Sequence, residues 1–155
     1  MNLDRALDIL EIQQLLATYV YTIDAKDYDG LDQVFTPDAV IDYSATGGAK
    51  GDYPTIKAWL TTALAPFAQT QHLIGLPLIR IEGGQASVRT MLFNPMRKDG
   101  ALFFIGATYV DDLVRTAEGW RIRRRVEADA WVKDAPDPGG EAGAEKSSMI
   151  PEEPA

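Results

Sequence analysis

Thr70-Gln71-His72-Leu73-Ile74-Gly75 is the stretch where this chain changes its period. Upstream of it, apolar residues recur at helical spacing; downstream they form runs of strand character. His72 is the only histidine, and there is no cysteine. Among common catalytic side chains it is therefore the only one whose unperturbed pKa lies near neutrality. The apolar run 74–81 follows, which sets His72 at the start of a strand. The best-placed partner for it is Asp24, at the end of the first helical segment. Together they suggest a buried His–carboxylate dyad in a pocket.

Working back from there, residues 3–23 read as a first helix, with Leu3, Leu7, Leu10, Leu15 and Tyr19 on one stripe and Ile12, Leu16 and Ile23 widening it. Asp8-Ile9-Leu10-Glu11 has capping-box spacing, which would start the regular helix there. A second, short helix is expected from the cap Asp27 through Leu31 and Phe35, stopped by Pro37. Residues 39–43 form a strand with Val40 and Asp42 on one face and Ile41 and Tyr43 on the other. Residues 44–52, with three glycines, form a lip over a pocket. Pro54 opens a third helix carrying Ile56, Trp59, Leu60 and Leu64.

Working forward, 73–81 and 85–93 read as a hairpin turning at Glu82-Gly83-Gly84, followed by long strands at 101–114 and 120–132. Three helices and then a strand-rich half predict an α+β fold, with a curved, mostly antiparallel sheet wrapping the helices.

Composition bounds the rest. At 155 residues and 46% hydrophobic, residues 1–133 make one domain with enough chain for a real core. Residues 134–155 hold six acidic residues against Lys146 and four of the nine prolines, and read as a flexible acidic tail. That tail accounts for −5 of the net −8, and the remaining −3 is wrong in sign for nucleic acid. Without cysteines there is no disulfide or thiolate metal site, and one histidine among scattered carboxylates makes no metal centre. Met1-Asn2-Leu3-Asp4 does not begin a signal peptide, and no apolar run reaches the roughly 18 residues of a membrane span. A cytoplasmic protein is the expectation. Nothing calls for a cofactor: there is no phosphate-cradling glycine loop and no Gly-x-Ser-x-Gly elbow.

The run Asp24-Ala25-Lys26-Asp27-Tyr28-Asp29-Gly30-Leu31, then Ile41-Asp42-Tyr43, then the His72 stretch, resembles scytalone dehydratase. More broadly, residues 7–131 resemble the SnoaL-like branch of the NTF2-like superfamily, an α+β cone with an apolar pocket; hexachlorocyclohexane dehydrochlorinase is a similar relative. The resemblance implies that His72 is a base paired with Asp24 and that Tyr43 helps hold a water against a substrate carbonyl. It places Tyr19 at a polar pocket position and Tyr109 near a pocket asparagine. It also implies an arginine aimed at an anionic leaving group, which by position is Arg125; a bulge in the last strand would select Arg124 instead. Two departures stand out. Ile23 replaces a second tyrosine, and the region Asn94-Pro95-Met96 lacks a second histidine.

Each of these residues also has a plainer reading: His72 as a packed strand-end histidine, Tyr43 and Tyr19 as core rings, the arginines as a solvated strand face. Trp59, Phe67, Leu76, Met91, Phe93, Phe104 and Trp131 supply either a hydrophobic wall or ordinary core. The combined expectation is a cofactor-independent lyase or isomerase. It would take a proton from a small apolar cyclic molecule, with His72, Asp24, Tyr43 and Arg125 catalytic, and Tyr19, Trp59, Met91, Phe93, Phe104 and Tyr109 against the substrate. The alternatives are a polyketide-type cyclase, a ketosteroid-isomerase-like enzyme with Asp24 as base, or a module that only binds its ligand. Relatives of this cone assemble through the open sheet face, so a homo-oligomer is expected.

Overall fold

The computed structural model describes residues 2–134, so the acidic segment beyond Asp134 lies outside the described residues. Two α-helices are present, α1 (Leu3–Asp24) and α2 (Tyr53–Ala63), with 3-10 turns at Asp29–Gln33 and Ser44–Thr46. The strands are β1 (Phe35–Asp42), β2 (Lys50–Asp52), β3 (Gln69–Thr70), β4 (Leu73–Ile74), β5 (Leu78–Glu82), β6 (Gln85–Lys98), β7 (Ala101–Thr116) and β8 (Gly119–Lys133). They form one curved, open sheet in the order β2-β1-β8-β7-β6-β3, with β4 and β5 also on β6. Only β1 and β8 run parallel; every other pair is antiparallel. The α+β expectation holds, with two helices in place of three.

The missing helix is the one expected from 27 to 35. Asp27 does cap a turn there, accepting the Gly30 N–H at 3.1 Å, but the turn is a five-residue 3-10 piece. Phe35 already belongs to β1, whose backbone pairs with β8. The capping-box spacing at Asp8 also misleads. Asn2 caps α1 by accepting the Arg5 N–H at 3.0 Å, so the helix starts at Leu3. Asp8 instead bonds Arg115 and accepts from the Trp120 indole at 3.3 Å, while Glu11 accepts the Trp120 backbone N–H at 3.0 Å. The pair clamps α1 to the β7–β8 hairpin. Leu3, Leu7 and Leu10 remain exposed, and the buried stripe begins at Ile12 and runs through Leu15, Leu16, Tyr19, Val20 and Ile23.

The expected strand 73–81 is two short strands, because Pro77 has no N–H for the ladder. Strict alternation also fails in β8. Trp120 and Ile122 face inward, and Arg124 would follow them; but the register steps from Leu113↔Ile122 to Asp112↔Arg124, leaving Arg123 as an extra residue. That bulge turns Arg124 outward and brings Arg125 and Glu127 inward.

Arg125 and Asp111 are both fully buried. The guanidinium donates to the carboxylate twice, from Nε at 2.8 Å and from Nη2 at 2.7 Å. It lies 4.1 Å from the Tyr19 ring centroid and 4.0 Å from that of Tyr109, with Phe35 at 5.6 Å. Removing one partner of such a pair strands a charge in the core. Asp111→Ala is therefore expected to lower unfolding free energy by about 3–5 kcal/mol in a denaturant titration at neutral pH.

Candidate functional site

Between the concave sheet and the two helices is a cavity of about 290 Å³. Apolar residues from both helices and the sheet form most of its wall, including Ile23, Leu60, Phe67 and Ile105, with Trp59 at one side. Its polar groups are few and converge: Tyr19, Tyr43, His72, Asn94, Tyr109 and Glu127. An apolar cavity with a handful of aimed polar groups is the usual form of a small-molecule site.

His72 stands between β3 and β4, its side chain 7% exposed. Its Nδ1 is 2.6 Å from Asp24 Oδ1, and its backbone N–H donates to Asp24 Oδ2 at 2.8 Å. Thr70 Oγ1 donates to Asp24 Oδ1 at 2.8 Å. Burial alone would raise the Asp24 pKa, but these hydrogen bonds to the ionised form outweigh it and hold the group below its ordinary value of 3.8. Asp24 is the last residue of α1, and Lys26, two residues on, takes the left-handed conformation (φ 57°) that ends the helix.

Asn94 defines the histidine tautomer. Its Oδ1 accepts the Gln71 N–H at 3.2 Å, which leaves Nδ2 to face His72 Nε2 at 3.2 Å. Nδ2 can only donate, so Nε2 is an acceptor and the ring proton sits on Nδ1, toward Asp24. The lone pair of a neutral imidazole is thus presented to the cavity side. Asn94 was missed in the sequence; the signal was a polar residue, poorly suited to strands, in the inward series Thr90, Leu92, Asn94.

Three buried phenols face the dyad. Tyr19 Oη lies 3.1 Å from Tyr43 Oη and 3.5 Å from Tyr109 Oη. Burial pushes all three pKa values well above the usual phenol range, so they act as hydrogen-bond donors at neutral pH. The Tyr19 ring also meets the His72 ring edge-on, with centroids 6.1 Å apart. The 44–52 lip is present as Thr46, Gly47 and Gly48 in the cavity wall. It is tied to β1, where Asp42 accepts the Ser44 N–H at 3.0 Å and pairs with Lys50 at 2.9 Å. Those bonds hold the Asp42 pKa down at about 2. Gly48 packs so closely that a Cβ would lie 2.8 Å from the Tyr43 carbonyl oxygen and 3.0 Å from the Trp59 ring.

Several expected site residues lie elsewhere. Met91, Phe93 and Phe104 are on the outer sheet face, since β6 turns Leu92 and Asn94 inward and β7 turns Phe103 and Ile105 inward. Phe93 stacks on Phe104 at 5.8 Å and meets Trp131 at 6.3 Å, away from the cavity. Leu76 is 91% exposed in the β4–β5 break. Arg125 points inward as expected, but it stands behind the Tyr19–Tyr109 layer, engaged with Asp111, and is not in the cavity wall. It acts on the phenols electrostatically and does not reach a leaving group. Of the expected residues, His72, Tyr43, Tyr19, Trp59 and Tyr109 line the cavity, with Asp24 directly behind His72. Among the described residues no cluster of three or more His, Cys, Asp or Glu could hold a metal ion. None of the described helices is long and apolar enough to cross a membrane.

A profile of the SnoaL-like domain matches residues 4–126. The chain belongs to the SnoaL-like family. Uncharacterised proteins of Mycobacterium tuberculosis and Mycobacterium bovis are 50% identical to it over 129 residues, covering 81% of this chain and 88% of theirs. Among solved structures, a protein of Kribbella flavida superposes with a TM-score of 0.77 at 23% identity, over 84% of this chain and 95% of its own. A candidate scytalone dehydratase of Novosphingobium aromaticivorans superposes with a TM-score of 0.73 at 20% identity, covering 90% and 97%. An NTF2-like superfamily protein of Salmonella enterica gives 0.70 at 16% identity, covering 90% and 99%. These superpositions place the SnoaL-like chain in the NTF2-like fold.

The lowered Asp24 pKa sets a sign for stability. The carboxylate stabilises the fold above its unfolded pKa, and that contribution disappears as pH falls through the lower folded value. Asp24→Asn should therefore flatten the acid side of a stability–pH curve measured by chemical denaturation.

Proposed function

We propose that this SnoaL-like protein is a cofactor-independent lyase or isomerase acting on a small, largely apolar cyclic molecule with an acidic C–H next to a carbonyl. The hydrogen-bonded His72–Asp24 dyad in the cavity wall is the observation that carries this reading. His72 Nε2, already unprotonated, takes the C–H proton, and Asp24 holds the imidazolium that forms. Tyr43 and Tyr19 donate to the carbonyl oxygen as enolate charge builds on it. A β substituent then leaves from the enolate in a lyase, or the proton returns at another carbon in an isomerase. Arg125, behind the phenols, strengthens their donation without touching the substrate.

One observation favours the binding-module reading. The Asn94 amide occupies the Nε2 lone pair at 3.2 Å, so a substrate C–H must displace it to reach the base. His72→Ala separates the two. Removal of a general base is expected to slow turnover by about 10²–10⁴-fold while the variant still folds. Full activity in a folded His72→Ala protein would remove the mechanism, and unchanged ligand binding with no turnover in the wild type would leave the binding module.

The outer sheet face bears on assembly. Met91, Phe93 and Trp131 are exposed there alongside Leu102 and Val132, forming an apolar surface of the kind a second copy covers. We read it as the interface of a homo-oligomer. Trp131→Glu should then shift the protein to monomer in sedimentation, and an unaltered mass distribution would argue against this face.

A further inference from the structure

Glu127 is a carboxyl group in the cavity wall that the dyad mechanism does not use. It reaches the cavity only because of the bulge at Arg123, which puts it inward two residues after Arg125 and across from Tyr109. Its one close partner is a hydroxyl. Thr46 Oγ1 lies 2.6 Å from Glu127 Oε2 and 3.2 Å from the Tyr43 carbonyl oxygen. A hydroxyl has a single proton, and a carbonyl and a carboxylate can only accept. If Glu127 were ionised, one of these two acceptors would go without. Both contacts are satisfied when Glu127 is protonated and donates to Thr46, and Thr46 donates onward to the carbonyl.

The surroundings agree. Burial is the main influence, and it pushes the Glu127 pKa up; the Thr46 contact and the Arg125 charge on the same strand only partly offset it, and Asp42 on β1 adds to the rise. The other ionisable groups facing it, Tyr43 and Tyr109, are neutral phenols. A neutral acid thus shares one cavity with a neutral imidazole, and each is in the protonation state that an elimination needs at its start.

We propose that Glu127 is the general acid of this site, delivering a proton to a leaving oxygen, so that the substrate class is a cyclic β-hydroxy ketone and not a halide. The assignment rests on the proton-abstraction reading above. The C–H bond breaks and its proton goes to His72 Nε2. The electron pair becomes the new C=C bond, the C–O bond breaks, and the Glu127 O–H swings from Thr46 to the departing oxygen. The products are the unsaturated ketone and water. The imidazolium and the Glu127 carboxylate are then returned to their neutral forms by proton exchange through solvent. A halide leaves as an anion and needs no such proton.

The test uses the full chain and two probes, β-hydroxy-α-tetralone and β-chloro-α-tetralone, which both become naphthol after elimination. Glu127→Gln is expected to lower the hydroxyl-to-chloride rate ratio by about 10²–10⁴-fold, the size of a lost proton-transfer group. It should also remove the fall in rate toward high pH seen with the hydroxyl probe. In ¹³C NMR of the wild-type protein, the Glu127 carboxyl should titrate above the ordinary glutamate range. Titration in the ordinary range overturns the assignment whatever the kinetics. An unchanged rate ratio, whether both probes slow together or neither does, also overturns it and leaves His72 standing as base. If His72→Ala keeps the activity on both probes, or the wild type eliminates neither, the proton-abstraction reading fails and this assignment falls with it.

Discussion

The buried pair between Arg125 and Asp111 is the interaction on which the cone's interior depends. A guanidinium is tolerated in a core only when its charge is met and its faces are covered. Here Asp111 meets it from β7 with two short hydrogen bonds, and rings from α1, β1 and β7 cover it. Those rings are thereby fixed in position. Two of them, Tyr19 and Tyr109, present their hydroxyls to the cavity, where Tyr43 joins them. A structural ion pair therefore sets the geometry of the polar end of the pocket.

The other end is set by a single carboxylate. Asp24 accepts from the His72 ring, the His72 main chain and Thr70, so the tip of α1 and the β3–β4 edge are held as one unit. Three donors on one group leave it little freedom to rotate. The histidine inherits that rigidity, and Asn94 selects its tautomer from the far side. Preorganisation of this kind lowers the reorganisation needed when a proton is transferred. It also explains how a site with one histidine can still be specific about which nitrogen does the work.

Much of this was legible from residue types alone. The unique His72, the change of period after it and Asp24 at a helix end marked the dyad and the α+β plan. Tyr19, Tyr43, Trp59 and Tyr109 were rightly expected to lie near one another. What was not legible followed from local exceptions to period. Asp8 and Glu11 have capping spacing but reach across the fold to Arg115 and Trp120. Asp27 caps a turn that β1 cuts short. Met91, Phe93 and Phe104 are apolar residues of long strands, and apolar character does not say which face of a sheet they are on; the register with their neighbours does.

The sequence by itself determined the class of fold and the single group able to act as a base near neutrality, since both follow from composition and periodicity. Only the tertiary structure decided which charges enter the core. One extra residue at Arg123 shifts the alternation of β8, sending Arg124 to the surface and bringing Arg125 and Glu127 inside. A strand's side chains repeat every two residues, so a one-residue insertion exchanges its faces, and where that insertion falls is set by pairing with β7 rather than by the strand's own residues.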